Sequence, residues 1–226
     1  MHWLLSLDAA LFHFLNSTIA NPFFDWLMPL LSGVNVPWLP AGVLAIPFVL
    51  LFGSVRLRAC ALLMVLVVIL GNRLIVDVIK SSINRPRPFV TLKDARLYGK
   101  VGKRQGPPQA DGALAPTALG HSFPSSHAAS TFAAAMVGFV FYGRRAWLLF
   151  AVASAIAFSR VYNGVHYPTD ITAGAILGTG YAIAFASLLQ MVWDFVGKRM
   201  FPHWHRQLPD LLDPKQPTKD RSLCLG

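Results

Sequence analysis

The sequence contains no glutamate; all ten of its acidic residues are Asp. Charged residues make up only 13% of its 226 positions, about half the share found in ordinary soluble domains. That scarcity argues against a soluble multidomain enzyme. Cysteine is rare too: Cys60 lies in an apolar run and Cys224 near the C-terminus, and so distant a pair suggests neither a disulfide framework nor a metal site. No internal repeat is visible. The N-terminus has neither the basic start nor the small-residue cleavage site of a signal peptide.

What is abundant is apolar. Hydrophobic residues reach 54%, which excludes disorder for the chain as a whole. Five runs approach the roughly 20 apolar residues that cross a bilayer: residues 36–55, bent by Pro37, Pro40 and Pro47; 59–79, interrupted by Arg73 and Asp77; 124–142; 146–159; and 171–193. Residues 1–20 place Leu4, Leu7, Leu11, Phe14 and Leu15 on one helical face and read as an interfacial amphipathic helix. Asn21-Pro22 breaks it, and 23–31 form another short apolar helix; this pair is alternatively a sixth span. The expected fold is an all-α integral membrane bundle with five to six transmembrane helices. Residues 1–200 form one domain, with N-terminal helices in 1–33 and an outer loop at 81–123, and 201–226 form a polar tail.

Arg56 and Arg58, Arg144 and Arg145, and Lys198 and Arg199 all fall on one side of this topology, which is therefore cytoplasmic. The outer loop is nevertheless basic as well, with Arg85, Arg87, Lys93, Arg96, Lys100, Lys103 and Arg104. Positive charge on that face points to an anionic substrate. The net charge of +10 thus serves topology and the site, and nucleic acid is not an expected partner.

Polar groups at membrane depth are costly and are functional candidates by default. Lys80, Arg87, Ser125, Ser126, His127, Ser159, Arg160, His166 and Asp170 all fall at outer helix ends. Lys80, Arg87 and Arg160, with two hydroxyls and helix N-terminal amides, suit a phosphate. Pro124 reads as the first helical residue, which would aim the amides near Ser125 and Ser126 at the anion. One histidine can attack phosphorus while the other protonates the leaving oxygen. Asp170, four residues after His166, can fix the imidazole tautomer.

These residues form three motifs. Lys80…Arg87-Pro88 resembles K-x6-R-P, Pro124-Ser125-Ser126-His127 resembles P-S-G-H, and Ser159-Arg160…His166…Asp170 resembles S-R-x5-H-x3-D. In this order and spacing, the stretch from Lys80 to Asp170 resembles the type-2 phosphatidic acid phosphatase superfamily. The resemblance implies that Lys80, Arg87 and Arg160 hold the phosphate, with Ser125 donating to one of its oxygens. It implies His127 as general acid, His166 as nucleophile and Asp170 as its orienting carboxylate, with no metal or other cofactor. Ser126 replaces the usual Gly and adds a hydroxyl. The spacing selects Arg87 over Arg85, which is left as a rim cation.

Plainer roles stand beside these. Asp170 suits the first turn of a helix and Ser125 an N-cap. Arg73 and Asp77 read as a structural i,i+4 pair, and Gly174 and Gly178 as a close-packing helix face. His121 reads as a solvated loop residue.

The resemblance also implies a phosphorylated lipid as substrate, in a bacterial inner membrane with the site facing outward. Undecaprenyl diphosphate suits that placement first. Lipid A, phosphatidylglycerol phosphate or transfer of the phosphate to another lipid are the alternatives. Two other classes share the motifs: vanadate-dependent haloperoxidases, which are soluble, and a lipid-binding protein that retains an anion site. The sequence leaves oligomeric state open.

Overall fold

The computed structural model describes residues 2–32, 47–92, 94–100, 103–105, 121–207 and 209–213. The expected span at 36–55 lies mostly outside these residues, as do much of the outer loop, Cys224 and the tail beyond 213. Helix α1 (His2–His13) runs on through a π-helical turn, Phe14–Thr18. Asn21 then caps α2 (Pro22–Leu31), its side chain accepting the Phe24 amide at 3.0 Å with Pro22 opening the helix. Residues 47–52 are helical (α3). Ser54 caps α4 (Val55–Gly71), which continues through the π-helical turn Asn72–Val76 into α5 (Asp77–Ile83). Asn84, at φ 51°, ends this helix in the left-handed conformation.

After the short α6 (Pro88–Thr91), β1 (Leu97–Lys100) pairs antiparallel with β2 (Lys103–Gln105), Leu97 opposite Gln105. This small ribbon was not expected in the outer loop; the rest of the described fold is helical. The long helices α7 (Ser126–Tyr142), α8 (Leu148–Tyr162) and α9 (Pro168–Val192) follow, and α10 (Lys198–Met200) and α11 (Pro202–Gln207) close the described chain.

The core is built where α4, α7 and α9 meet, around Leu63, Val67, Ala133, Val137, Phe141 and Ala182. Gly174 and Gly178 set the distance between α7 and α9. A Cβ on Gly178 would lie 2.2 Å from the Ala129 carbonyl oxygen, and one on Gly174 2.5 Å from that of Ser125. The expected close-packing face therefore works within this chain. Outside, α4, the π-helical turn after it and α9 present Leu62, Leu66, Leu74, Ile176 and Met191, a surface suited to lipid rather than water. At 25 residues and a rise of about 1.5 Å each, α9 exceeds the roughly 30 Å hydrocarbon core. Among the described residues, Arg56–Thr91 and Pro168–Met200 are the two stretches long and apolar enough to cross a membrane, and Leu148–Tyr162 is a shorter apolar helix.

Three charged residues singled out in the sequence find definite places. Arg73 and Asp77 lie 3.7 Å apart on the outer face of the helix. Arg56 is not an open loop cation: it is buried, donates to the Phe141 carbonyl at the end of α7 and lies over the Tyr142 ring. It thus satisfies a helix-end carbonyl and ties α4 to α7.

Candidate active site

Successive helices run in alternate directions, so the end of α5, the start of α7, the end of α8 and the start of α9 share one end of the bundle. Lys80, His127, Arg160, His166 and Asp170 stand there with Arg87, from the loop after α5. All but Asp170 are near enough to act electrostatically on the His127 ring, and Asp170 acts on Lys80, Arg87 and His166. Lys80, Arg87 and Arg160 are half-buried, and His127 is exposed at the first turn of α7.

The carboxylate of Asp170 accepts three hydrogen bonds. It is fully buried. Oδ1 accepts from Arg85 Nη1 at 2.8 Å. Oδ2 accepts the Tyr167 backbone N–H at 2.8 Å and the Ser122 hydroxyl. His166 Nδ1 lies 3.6 Å from Oδ2 and has no closer hydrogen-bond partner among the described residues. Catalytic hydrogen bonds are often this long before substrate arrives. Asp170 therefore caps its own helix and also faces His166 Nδ1, the arrangement that the expected orienting role requires if Nε2 is to attack.

His166 sits in the loop 163–167, between the membrane-embedded helices. Burial is the main force on its titration; Arg87 and Arg160 act in the same direction and Asp170 opposes them. The ring is pushed down to about 4, so at neutral pH it is uncharged with a lone pair available. The loop is held by Gly164, at φ 82°, whose Cβ would lie 2.2 Å from the Arg96 carbonyl oxygen. Only glycine meets both conditions.

The phosphate-binding candidates are held by backbone. Arg87 Nη1 donates to the Val165 carbonyl at 3.2 Å and Arg160 Nη1 to that of Ser32 at 3.4 Å. The buried Nε atoms of both have no partner among the described residues. Two guanidiniums with unspent donors beside a basic Lys80 suit a multivalent oxyanion. Ser125, not Pro124, caps α7: its Oγ accepts the Ala128 amide at 3.4 Å, and Ser126 is the first helical residue. The Ser125 amide donates to the Asp170 carbonyl at 3.0 Å. Its hydroxyl, rather than its amide, therefore remains for an oxyanion. His121 lies half-buried just before this turn.

Several contributors went unread in the sequence. Arg85 is no rim cation: it is 18% exposed and joins Asp170 to Asp8 of α1. Ser122 bonds Asp170 directly. Ser32 exchanges a hydrogen bond with Ser159 at 2.9 Å and accepts from Asn163 at 2.6 Å. Asn16 ties the π-helical turn to the Arg96 and Tyr162 backbone. A signal existed for Asp8 and Asn16: each is a polar residue inside an otherwise apolar segment.

Among curated proteins, the lipid A 4'-phosphatase of Bacteroides thetaiotaomicron is 27% identical over 183 residues, covering 79% of this chain and 75% of that protein. The putative undecaprenyl-diphosphatase YbjG of Escherichia coli (strain K12) is 33% identical over 91 residues, 38% of this chain and 43% of its own. The chain spans about half the length of several curated relatives it matches. Among solved structures, Aquifex aeolicus LpxE superposes with a TM-score of 0.59 at 23% identity, covering 79% of this chain and 93% of that one; at that identity the likeness is one of fold. The PAP2 superfamily profile matches residues 60–194 and so takes in Lys80, Arg87, His127, Arg160, His166 and Asp170. The chain belongs to the PAP2 superfamily.

Proposed function

We propose that the protein is a membrane lipid phosphatase that works through a phosphohistidine at the outer face of a bacterial inner membrane, and that its substrate is undecaprenyl diphosphate. The observation that carries the reading is the buried His166–Asp170 pair standing beside Lys80, Arg87 and Arg160. The three cations neutralise the phosphoryl oxygens. His166 Nε2 attacks phosphorus as the bond to the leaving oxygen breaks, and His127 gives that oxygen its proton. Asp170 stabilises the positive ring so formed. Water, deprotonated by His127, then attacks the phosphohistidine and releases inorganic phosphate and free His166. Binding and general acid–base chemistry thus come from side chains alone, without metal.

The proposed bundle has five or six spans, with residues 1–33 contributing the interfacial pair or the sixth. A site at a helix-end level suits a lipid whose phosphate lies at the headgroup depth while its tail stays in the bilayer. The likeness to a putative undecaprenyl-diphosphatase supports the first-choice substrate; the longer match to a lipid A 4'-phosphatase favours lipid A as the second. The test is phosphate release by detergent-purified protein with EDTA present, offered undecaprenyl diphosphate, lipid A, phosphatidylglycerol phosphate and phosphatidic acid. Release from the first in excess of the others, lost in His166→Ala, supports the reading. Release only with added divalent metal overturns the mechanism.

A further inference from the structure

Asp8 lies in α1, outside the residues that match the family. It is an acidic side chain in an apolar helix, yet it is only 3% exposed. Every bond it makes leads toward the site. Its Oδ1 accepts the Thr169 amide at 3.0 Å, and its Oδ2 accepts the Thr169 hydroxyl at 2.6 Å and Arg85 Nη2 at 2.6 Å. Arg85 uses its other nitrogen, Nη1, on Thr169 Oγ1 and Asp170 Oδ1, both at 2.8 Å. Its guanidinium lies 4.0 Å over the Tyr167 ring. The guanidinium is thereby fixed in plane, position and both donor directions.

We propose that Asp8 is a positioning residue for the nucleophile, acting through Arg85 on Asp170. Two consequences follow, one electrostatic and one mechanical. A lone Arg85 would neutralise Asp170 and weaken its hold on the positive charge that develops on His166. Asp8 shares that guanidinium, so the cluster of two carboxylates and one cation keeps one net negative charge facing the ring. It also braces the first turn of α9 from outside, which holds the Asp170 carboxylate at its distance from His166. The N-terminal helix is therefore part of the machinery rather than an appendage. Partners that orient metal-bound histidines from behind are typically worth 10- to 100-fold, and an effect on that order is expected here.

The inference rests on the phosphatase reading for its kinetic arm but has a second readout that needs no turnover. Intact detergent-purified protein is assayed for lipid phosphate hydrolysis and for binding of orthovanadate, which adopts the geometry of phosphoryl transfer, and of inorganic phosphate. Asp8→Asn is expected to lower kcat at least tenfold with KM changed less than threefold. It should weaken vanadate tenfold while phosphate affinity stays within threefold. In the double variant with Asp170→Asn, the loss should be no greater than that of Asp170→Asn alone, because both act along one path. Arg85→Lys, which keeps the charge but not the two-pronged bridge, should give a similar loss and carries the test if Asp8→Asn does not fold. An unchanged kcat, a loss confined to KM, or effects that multiply with Asp170→Asn would overturn the proposal. Wild type that binds vanadate but hydrolyses no lipid phosphate would sink the phosphatase reading and leave the vanadate arm to decide this one. Wild type that does neither would sink both.

Discussion

Replacing Asp170 by Asn tests the centre of the site, because each of its oxygens already receives donors. The amide nitrogen of Asn must take one of two places. At the Oδ2 position it meets the Tyr167 N–H, 2.8 Å away in the carboxylate form, and a backbone amide cannot turn round. At the Oδ1 position it meets Arg85 Nη1, also at 2.8 Å. Either way a donor faces a donor in a fully buried place. The loss is at least one bond to a charged group, about 1.5–3 kcal/mol. Arg85 keeps its contact with Asp8, so the cost stays below the roughly 3–5 kcal/mol of a buried cation left alone. The effect on rate is expected to exceed that on stability: the analogous change in a serine-protease triad lowers kcat by about 10⁴, and the proposed mechanism relies on the same tautomer control. The expected result is a fall in kcat of about 10³-fold or more, with a melting temperature lowered by several degrees, measured by phosphate release and thermal unfolding on the same preparation. A folded Asp170→Asn protein that keeps more than a tenth of the wild-type kcat would refute the orienting role.

Gly178→Val should force α9 from α7, since even a Cβ meets the Ala129 carbonyl at 2.2 Å; overpacking of this kind costs about 1–3 kcal/mol, read as a lower melting temperature. Gly164→Ala should lower kcat more than it lowers the melting temperature, because the added methyl strains the loop that carries His166 against the Arg96 carbonyl. The titration of His166, held down to about 4 by burial, gives a signed pH dependence. An unfolded His takes up its proton near 6.5 while the folded one refuses it, so the neutral ring costs no stability above 6.5 and stability falls as pH drops from 6.5 toward 4. The acid limb of kcat/KM should accordingly lie below 6.5, and a limb at or above 6.5 would contradict it. Dialysis against EDTA should leave phosphate release unchanged, and reactivation by added zinc or magnesium would contradict the side-chain mechanism.

The helices from 55 to 192 were legible because lipid-facing helices announce themselves as long uncharged runs: the expected 124–142 and 171–193 fall within a few residues of Ser126–Tyr142 and Pro168–Val192. The residues of the three motifs were legible for a different reason. Ionisable groups are so costly at this depth that each one demands a purpose, and the alternation of helix direction brings their ends together. Arg56 has a role that the sequence does not show, because a charge near a helix end looks only like a topology signal; the fold shows that it also donates to the Phe141 carbonyl. The cap of α7 shifted by two positions because Ser125 competes for the same turn, and its side chain satisfies a backbone N–H that Pro124 cannot.

The N-terminal helix exposes the deeper reason. In a soluble protein the apolar stripe of a helix marks its inner face, but beside lipid that sign is lost. Leu4, Leu7, Leu11 and Phe14 are all at least 44% exposed, whereas Asp8 and Asn16 are buried. The stripe was correctly seen, but the informative face was the opposite one. There a carboxylate and an amide stay inside because they bond to the end of α8 and to the loop and helix start that carry Arg85, Arg96 and Thr169. The sequence rule that follows is to read a lone polar residue on a short apolar helix of a membrane protein as an inward pointer, and to seek its partner among the charges of the loops at the same level. Applied here, that rule pairs Asp8 with the outer-loop arginines and Arg85 with an acid, and it removes Arg85 from the rim before any coordinates are known.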